Sequence, residues 1–176
     1  MKKRLVQAIS GIAVALITAT SSYAQDSSSR VDAKTDWSVF VEGNPTECWI
    51  VSAPKSVVNT KDGKVVAVNR GDILLFVSYR PGTKVQGEVS FTGGYPFNEG
   101  STVRMSIGSS NFDLFVDGEW AWPASPDEDG KITTAMMRGA SATLVGNSSR
   151  GTRTEDTFSL LGFTAALEEA QKRCGG

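Results

Sequence analysis

Two cysteines, Cys48 and Cys174, set the first condition on this chain, because its 176 residues contain no others. The second sits in a patterned segment. Phe163, Ala166, Leu167, Ala170 and Cys174 recur at i, i+3, i+4, i+7 and i+11, one apolar stripe of a helix. Glu168 and Glu169 precede Lys172 and Arg173 by four residues, the favourable order for helix ion pairs. The basic pair also lies in the last turn, where the helix dipole favours cations, and Gly175 follows as a C-cap. The stripe turns the Cys174 thiol inward, towards Cys48 as its one possible partner in the chain. Closing a loop of this length is worth about 4–5 kcal/mol in the chain-entropy account.

A disulfide needs an oxidising compartment, and the N-terminus carries an address for one. Lys2, Lys3 and Arg4 form a charged region, Leu5 to Ala19 is mostly apolar, and Ser22-Tyr23-Ala24 supplies small residues for cleavage. Residues 1–24 therefore read as a signal peptide. Interruptions at Ser10, Gly11 and Thr18 make the run a poor membrane span, and no other stretch has the length of one. Removing three basic residues takes the formal charge from −1 to −4. A mildly acidic chain without a basic run has no electrostatic case for nucleic acid. Residues 25–35, polar and rich in Ser and Asp, read as a flexible lead-in to a single domain over 36–176.

That domain is patterned as strands. Trp37, Val39 and Val41 alternate within Asp36 to Glu42, and Glu47 to Ser52 is a run apolar on both faces that carries Cys48. Asp62-Gly63 suggests a hairpin with arms at Val57-Val58 and Val65 to Val68. Asp72 to Arg80, Val85 to Phe91 and Thr102 to Ile107 alternate cleanly, the last with Val103, Met105 and Ile107 inward. Phe112, Leu114 and Val116 lead to a second Asp-Gly turn at Asp117-Gly118, with Trp120 and Trp122 beyond. Ser125-Pro126-Asp127-Glu128 is a capping box opening a short helix through Ile132, Ala135 and Met136, stopped by Gly139. Ala142 to Val145 and Thr152 to Leu161 complete eight to ten short strands. Turns about ten residues apart favour a mainly β, antiparallel sandwich with a short internal helix and a C-terminal helix.

Histidine is absent, which removes His-based nucleophile systems and His-based zinc or copper sites. Gly146 to Gly151 contains serines but lacks the spacing of a nucleophile elbow, and reads as a tight polar turn. Asn147-Ser148-Ser149 matches a glycosylation sequon. Asp127, Glu128 and Asp129 could serve a carboxylate hydrolase, although the first turn of a helix already favours acids. They do not form a calcium loop. The expectation is no catalytic residues, no metal and no cofactor. Trp120 and Trp122 suit core or hairpin packing first, and Arg150 and Arg153 read first as solvated turn charges; the four are also the candidates for a binding surface, the rings for sugar or protein contact and the arginines for an anion.

Several segments together resemble one family. Cys48-Trp49-Ile50 with Pro54, then Ala135-Met136-Met137-Arg138-Gly139, Gly146 to Thr152, Asp156 to Leu167 and the terminal Cys174 are similar to the invasion-associated locus B family. The resemblance runs from about Trp37 to Cys174. It implies an exported alphaproteobacterial envelope protein, in the periplasm, associated with the outer membrane or secreted after signal-peptide cleavage, with an immunoglobulin-like β-sandwich and a C-terminal helix. It implies no catalytic residues. The family is named for a member linked to entry into red blood cells, so an envelope or host-surface protein is the expected partner. Two other readings remain open: a small periplasmic hydrolase using paired carboxylates, and a periplasmic chaperone or ligand binder with an apolar groove or open strand edge.

Overall fold

The computed structural model describes residues 29–43 and 46–174. The signal peptide, residues 25–28 of the expected lead-in and the Gly175 cap lie outside the described residues. The described chain forms β1 (Arg30–Lys34), β2 (Trp37–Glu42), β3 (Glu47–Ser52), β4 (Ser56–Lys61), β5 (Lys64–Val65), β6 (Leu74–Arg80), β7 (Val85–Thr92), β8 (Thr102–Ile107), β9 (Ser110–Asp117) and β10 (Trp120–Trp122). Then follow α1 (Pro126–Arg138), β11 (Ser141–Asn147), β12 (Arg153–Ser159) and α2 (Phe163–Cys174). The strands make one antiparallel ladder in the order β1-β2-β3-β6-β7-β10-β9-β8-β11-β12-β4-β5.

That ladder folds over on itself as a β-sandwich. Phe91 of β7 meets Phe158 of β12 edge-to-face at 6.0 Å, although four strands separate them in the ladder. Trp37 Nε1 of β2 donates to the Ser159 carbonyl at the end of β12, 3.0 Å away. The alternation read from the sequence fills the space between: Val39, Cys48, Ile50, Leu75, Val77, Val89, Phe91, Val103, Met105, Leu114 and Leu144 are buried. β3 differs from expectation on its other face, where Trp49 and Val51 are half-buried rather than enclosed. Both Asp-Gly turns form. Asp62 and Gly63 both have positive φ, the geometry of a two-residue turn matched to strand twist.

β1 was not legible in advance. Arg30–Lys34 lies inside the stretch expected to be a flexible lead-in, yet it pairs with β2 and lies against α2. Its sequence carries little apolar alternation, so pairing with neighbours, not intrinsic pattern, makes it a strand.

α2 buries Phe163, Ala166, Leu167, Ala170 and Cys174, the stripe read from the sequence. Phe163 packs edge-to-face on Trp37 at 4.9 Å. Cys174 bonds Cys48, and the Cα atoms lie 5.9 Å apart. Glu169 pairs with Arg173 at 2.6 Å. α1 begins as expected: Ser125 Oγ accepts from Glu128 N, Glu128 Oε2 accepts from Ala124 N, and Pro126 is at the first position. It also ends at Gly139, but for another reason. Gly139 has φ −87°, so no left-handed cap is involved. A Cβ there would come within 2.6 Å of Ile107 Cγ2 and 3.0 Å of Leu160 Cδ1, so glycine is needed for close approach.

Gly162, which leads into α2, has φ +87°, and a Cβ on it would collide with the Lys34 carbonyl of β1. Gly162→Ala should therefore destabilise the protein by at least about 2 kcal/mol, measured by urea unfolding. A change within about 0.5 kcal/mol, as for an ordinary surface substitution, would refute this account of the β1–α2 junction.

Candidate functional site

The two halves of the sandwich present different outer surfaces. Over β8, β11 and β12 the outward positions carry Arg104 and Ser106, then Thr143, then Arg153, Glu155 and Thr157. Those polar groups pair with one another or with β9: Arg104 with Asp113, Thr143 with Thr157 and Arg153 with Glu155. Over β6, β10 and β9 the outward positions include a row of aromatic rings. Phe76 lies 5.8 Å from Trp120, Trp120 lies 6.1 Å from Trp122, and Trp122 lies 5.7 Å from Phe115. Trp120 and Phe115 are 38% and 49% exposed, so the row is open to solvent rather than folded into the core. On β2 and β3, Phe40 and Trp49 stack in parallel at 5.4 Å on the same outer side.

Local sequence explains the row. The Asp117-Gly118 turn sets Trp120 opposite Asp117 and Trp122 opposite Phe115. Phe112, Leu114 and Val116 point inward, so Phe115 must point outward beside Trp122. That signal was present in the sequence. Phe76 could not be found there, because it reaches Trp120 only through the order of β6, β7 and β10. At the α1 end the row meets a cleft of about 460 Å³ lined in part by Glu88, Phe115, Trp122 and Asp129.

The expected surface residues do not form one site. Trp120 and Trp122 belong to the row. Arg153 is held by Glu155 at 3.0 Å on the polar half. Arg150 lines a separate cleft of about 530 Å³ with Tyr95, Glu119, Ser149 and Thr154. The polar turn closes as read: Ser148 Oγ accepts from Thr152 N and the Ser148 carbonyl from Gly151 N. Gly146 leaves room for the Tyr95 and Phe97 rings, which a Cβ would meet at 3.2 and 2.9 Å.

Under this cleft lies a buried ion pair the sequence did not reveal. Arg70 is bidentate on Asp156 at 2.6 and 2.7 Å, and the two side chains are 5% and 0% exposed. Arg70 also donates to the Gly93 carbonyl at 2.8 Å and to Asn59 Oδ1 at 3.3 Å, and its guanidinium lies 4.9 Å from the centre of the Tyr95 ring. Burial raises the Asp156 carboxyl above its ordinary range, and the Arg70 fork opposes that rise. Burial also pushes the Tyr95 hydroxyl up to about 12, while it shares a 2.6 Å hydrogen bond with Thr154. Tyr95 is thus a neutral hydrogen-bonding group at physiological pH.

The three carboxylates at the start of α1 have separate tasks. Glu128 accepts from Ala124 N, Asp129 accepts from Val89 N at 2.8 Å, and Asp127 is exposed. This arrangement does not support the hydrolase reading. Among the described residues, no group of three or more Cys, Asp or Glu is placed to hold a metal ion. Burial pushes Asp129 up to about 6, with Glu88 and Glu128 adding to the effect and the Val89 bond opposing it. The folded state therefore holds this proton more tightly than the unfolded one. Its stabilising effect is complete below about pH 4 and is lost as pH rises through about 6. The shift would correspond to about 3 kcal/mol if fully buried, and solvent screening of this half-exposed group reduces that to about 1 kcal/mol. Asp129→Asn keeps an acceptor for Val89 N without the charge. Its stability relative to the parent should rise by about 1 kcal/mol between pH 4 and pH 7, read from urea midpoints. Parallel pH profiles for the two proteins would show that Asp129 titrates normally.

These features define a mainly β, disulfide-closed sandwich with an open aromatic surface on one half. The fold is shared with a solved structure, that of invasion associated protein B from Bartonella henselae: TM-score 0.55, 14% sequence identity, covering 82% of this chain and 98% of that one. No protein-family model matches the chain, nor does any curated protein sequence.

Proposed function

We propose that this chain is an exported, non-catalytic protein of the bacterial envelope, of the invasion associated protein B type, which works by binding through its aromatic face. The Phe76–Trp120–Trp122–Phe115 row, with Trp120 and Phe115 exposed and the other two rings half-buried, carries the binding part of this reading. A row of large rings with two of them open to solvent is costly to leave in water, and rings of this kind are favoured as anchors in recognition. The Cys48–Cys174 bond and the leader-like N-terminus support export. The fold likeness supports the envelope assignment, and the absence of histidine supports a non-catalytic role.

The test is a pull-down from intact envelopes with the parent protein and a Trp120→Ala/Trp122→Ala variant, with and without reductant, after mass spectrometry of the N-terminus in each cell fraction. The reading expects a processed N-terminus starting near Gln25 in the envelope fraction, and partners that the double variant loses. An intact leader on a cytoplasmic protein would overturn the localisation. Identical partners for both proteins would overturn the assignment of the face.

A further inference from the structure

The run Val65-Val66-Ala67-Val68 has the pattern of a strand arm, yet the β5 pairing with β4 covers Lys64–Val65 and is extended by a single bond, from Val66 N to the Asn59 carbonyl at 2.9 Å. The fold leaves most of the run open: Val65 is 78% exposed and Val68 40%, with Val66 half-buried between them. Across the hairpin, Val57 and Val58 are adjacent residues on opposite strand faces, and both are also exposed. A consecutive apolar run left in water has no structural purpose in a folded domain. Beside it, Lys61 and Lys64 face each other across the Asp62-Gly63 turn. Neither joins an ion pair among the described residues, whereas Lys55 at the base of the hairpin is held by Asp36 at 2.5 Å.

Charge decides what could cover this strip. The chain as a whole is acidic, so it has no general attraction to an anionic surface, and such binding must come through a local basic patch. A second copy pairing at the β5 edge would bring lysine against lysine, and edge lysines oppose strand addition. Apolar side chains flanked by two ammonium groups outside any ion pair, with Asp62 as the one carboxylate in the same turn, instead match the boundary between anionic headgroups and acyl chains. We propose that the β4–β5 hairpin with Val65–Val68 is a docking surface for a bilayer rich in anionic phospholipid, with the valines at the headgroup boundary and Lys61 and Lys64 against the phosphates.

Flotation with vesicles tests this. The parent protein should float with phosphatidylcholine vesicles containing about one third phosphatidylglycerol, should not float with phosphatidylcholine alone, and should be released by about 0.5 M salt. Each lysine near such a surface contributes about fivefold in affinity, so Lys61→Gln/Lys64→Gln should bind roughly 25-fold more weakly. Val65→Ser/Val68→Ser should also weaken binding. Lys131→Gln/Lys172→Gln, at exposed sites elsewhere, should leave it unchanged. Parent and variants are all used in the processed form starting near Gln25, so Leu5 to Ala19 takes no part. Equal binding to neutral vesicles, no binding to anionic ones, or hairpin variants that match the parent would each overturn the proposal. So would a dimer that the valine variant dissolves in the absence of lipid binding. Vesicle binding does not depend on where the cell places the protein, so failure here would leave the proposed envelope role standing.

Discussion

Removing the Cys48–Cys174 bond, by reduction or by Cys48→Ala/Cys174→Ala, is expected to destabilise the domain by about 5 kcal/mol. The bond joins residues 126 apart. It therefore encloses nearly the whole described domain, and cutting it returns almost the full loop entropy to the unfolded chain. Domains of this kind have only about 5–15 kcal/mol of stability in total. The urea midpoint should consequently fall by about 2 M, and a weakly stable parent would be partly unfolded once reduced. The loss should begin at α2. Its apolar stripe packs on β1, β2, β3 and β6, and without the bond only this packing holds the last turn to β3. Amide exchange should therefore accelerate in Phe163–Cys174 before it does in β3 or β6. A midpoint shift below about 0.5 M would show that the bridge constrains little that the core does not already fix.

Single substitutions in the Arg70–Asp156 pair should cost about 3–5 kcal/mol each, because either one leaves a buried charge without its partner. Arg70→Met with Asp156→Leu should cost far less than the sum of the two, since no charge is then stranded. The two single variants should also differ in pH dependence. In Arg70→Ala the Asp156 carboxyl loses the fork that holds it ionised, and burial then raises its pKa further. A folded pKa above the unfolded one makes that variant more stable in acid and less stable as pH rises through the folded value. Asp156→Ala leaves a guanidinium, which does not titrate, so its deficit should stay flat over the same range. Equal costs for the single and double variants, with no pH dependence in Arg70→Ala, would remove the pair from any account of stability.

Much of this architecture could be read residue by residue. The inward positions of β6, β8 and α2, the Ser125 capping box, both Asp-Gly turns and the disulfide follow from contacts within a few residues, or from a cysteine count that leaves one partner. The aromatic surface was half legible. Trp120 and Trp122 stand out, and hairpin register supplies Phe115, but Phe76 joins them only across β7. Arg150 and Arg153, close in sequence, part because the Ser148–Gly151 turn sends one to the Tyr95 cleft and the other to the polar face.

The sequence by itself determined the strand and helix periods, the turns and the sulfur partner, because these depend on neighbours along the chain and on compartment chemistry. Only the tertiary structure decided that Arg30–Lys34 is a strand, that Arg70 meets Asp156 from 86 residues away, that four rings share one face and that Val65 and Val68 stay open. Each of those outcomes rests on strand order and on which surfaces the fold covers. Burial of a charge or exposure of a valine is a property of distant neighbours, and local pattern carries no record of them.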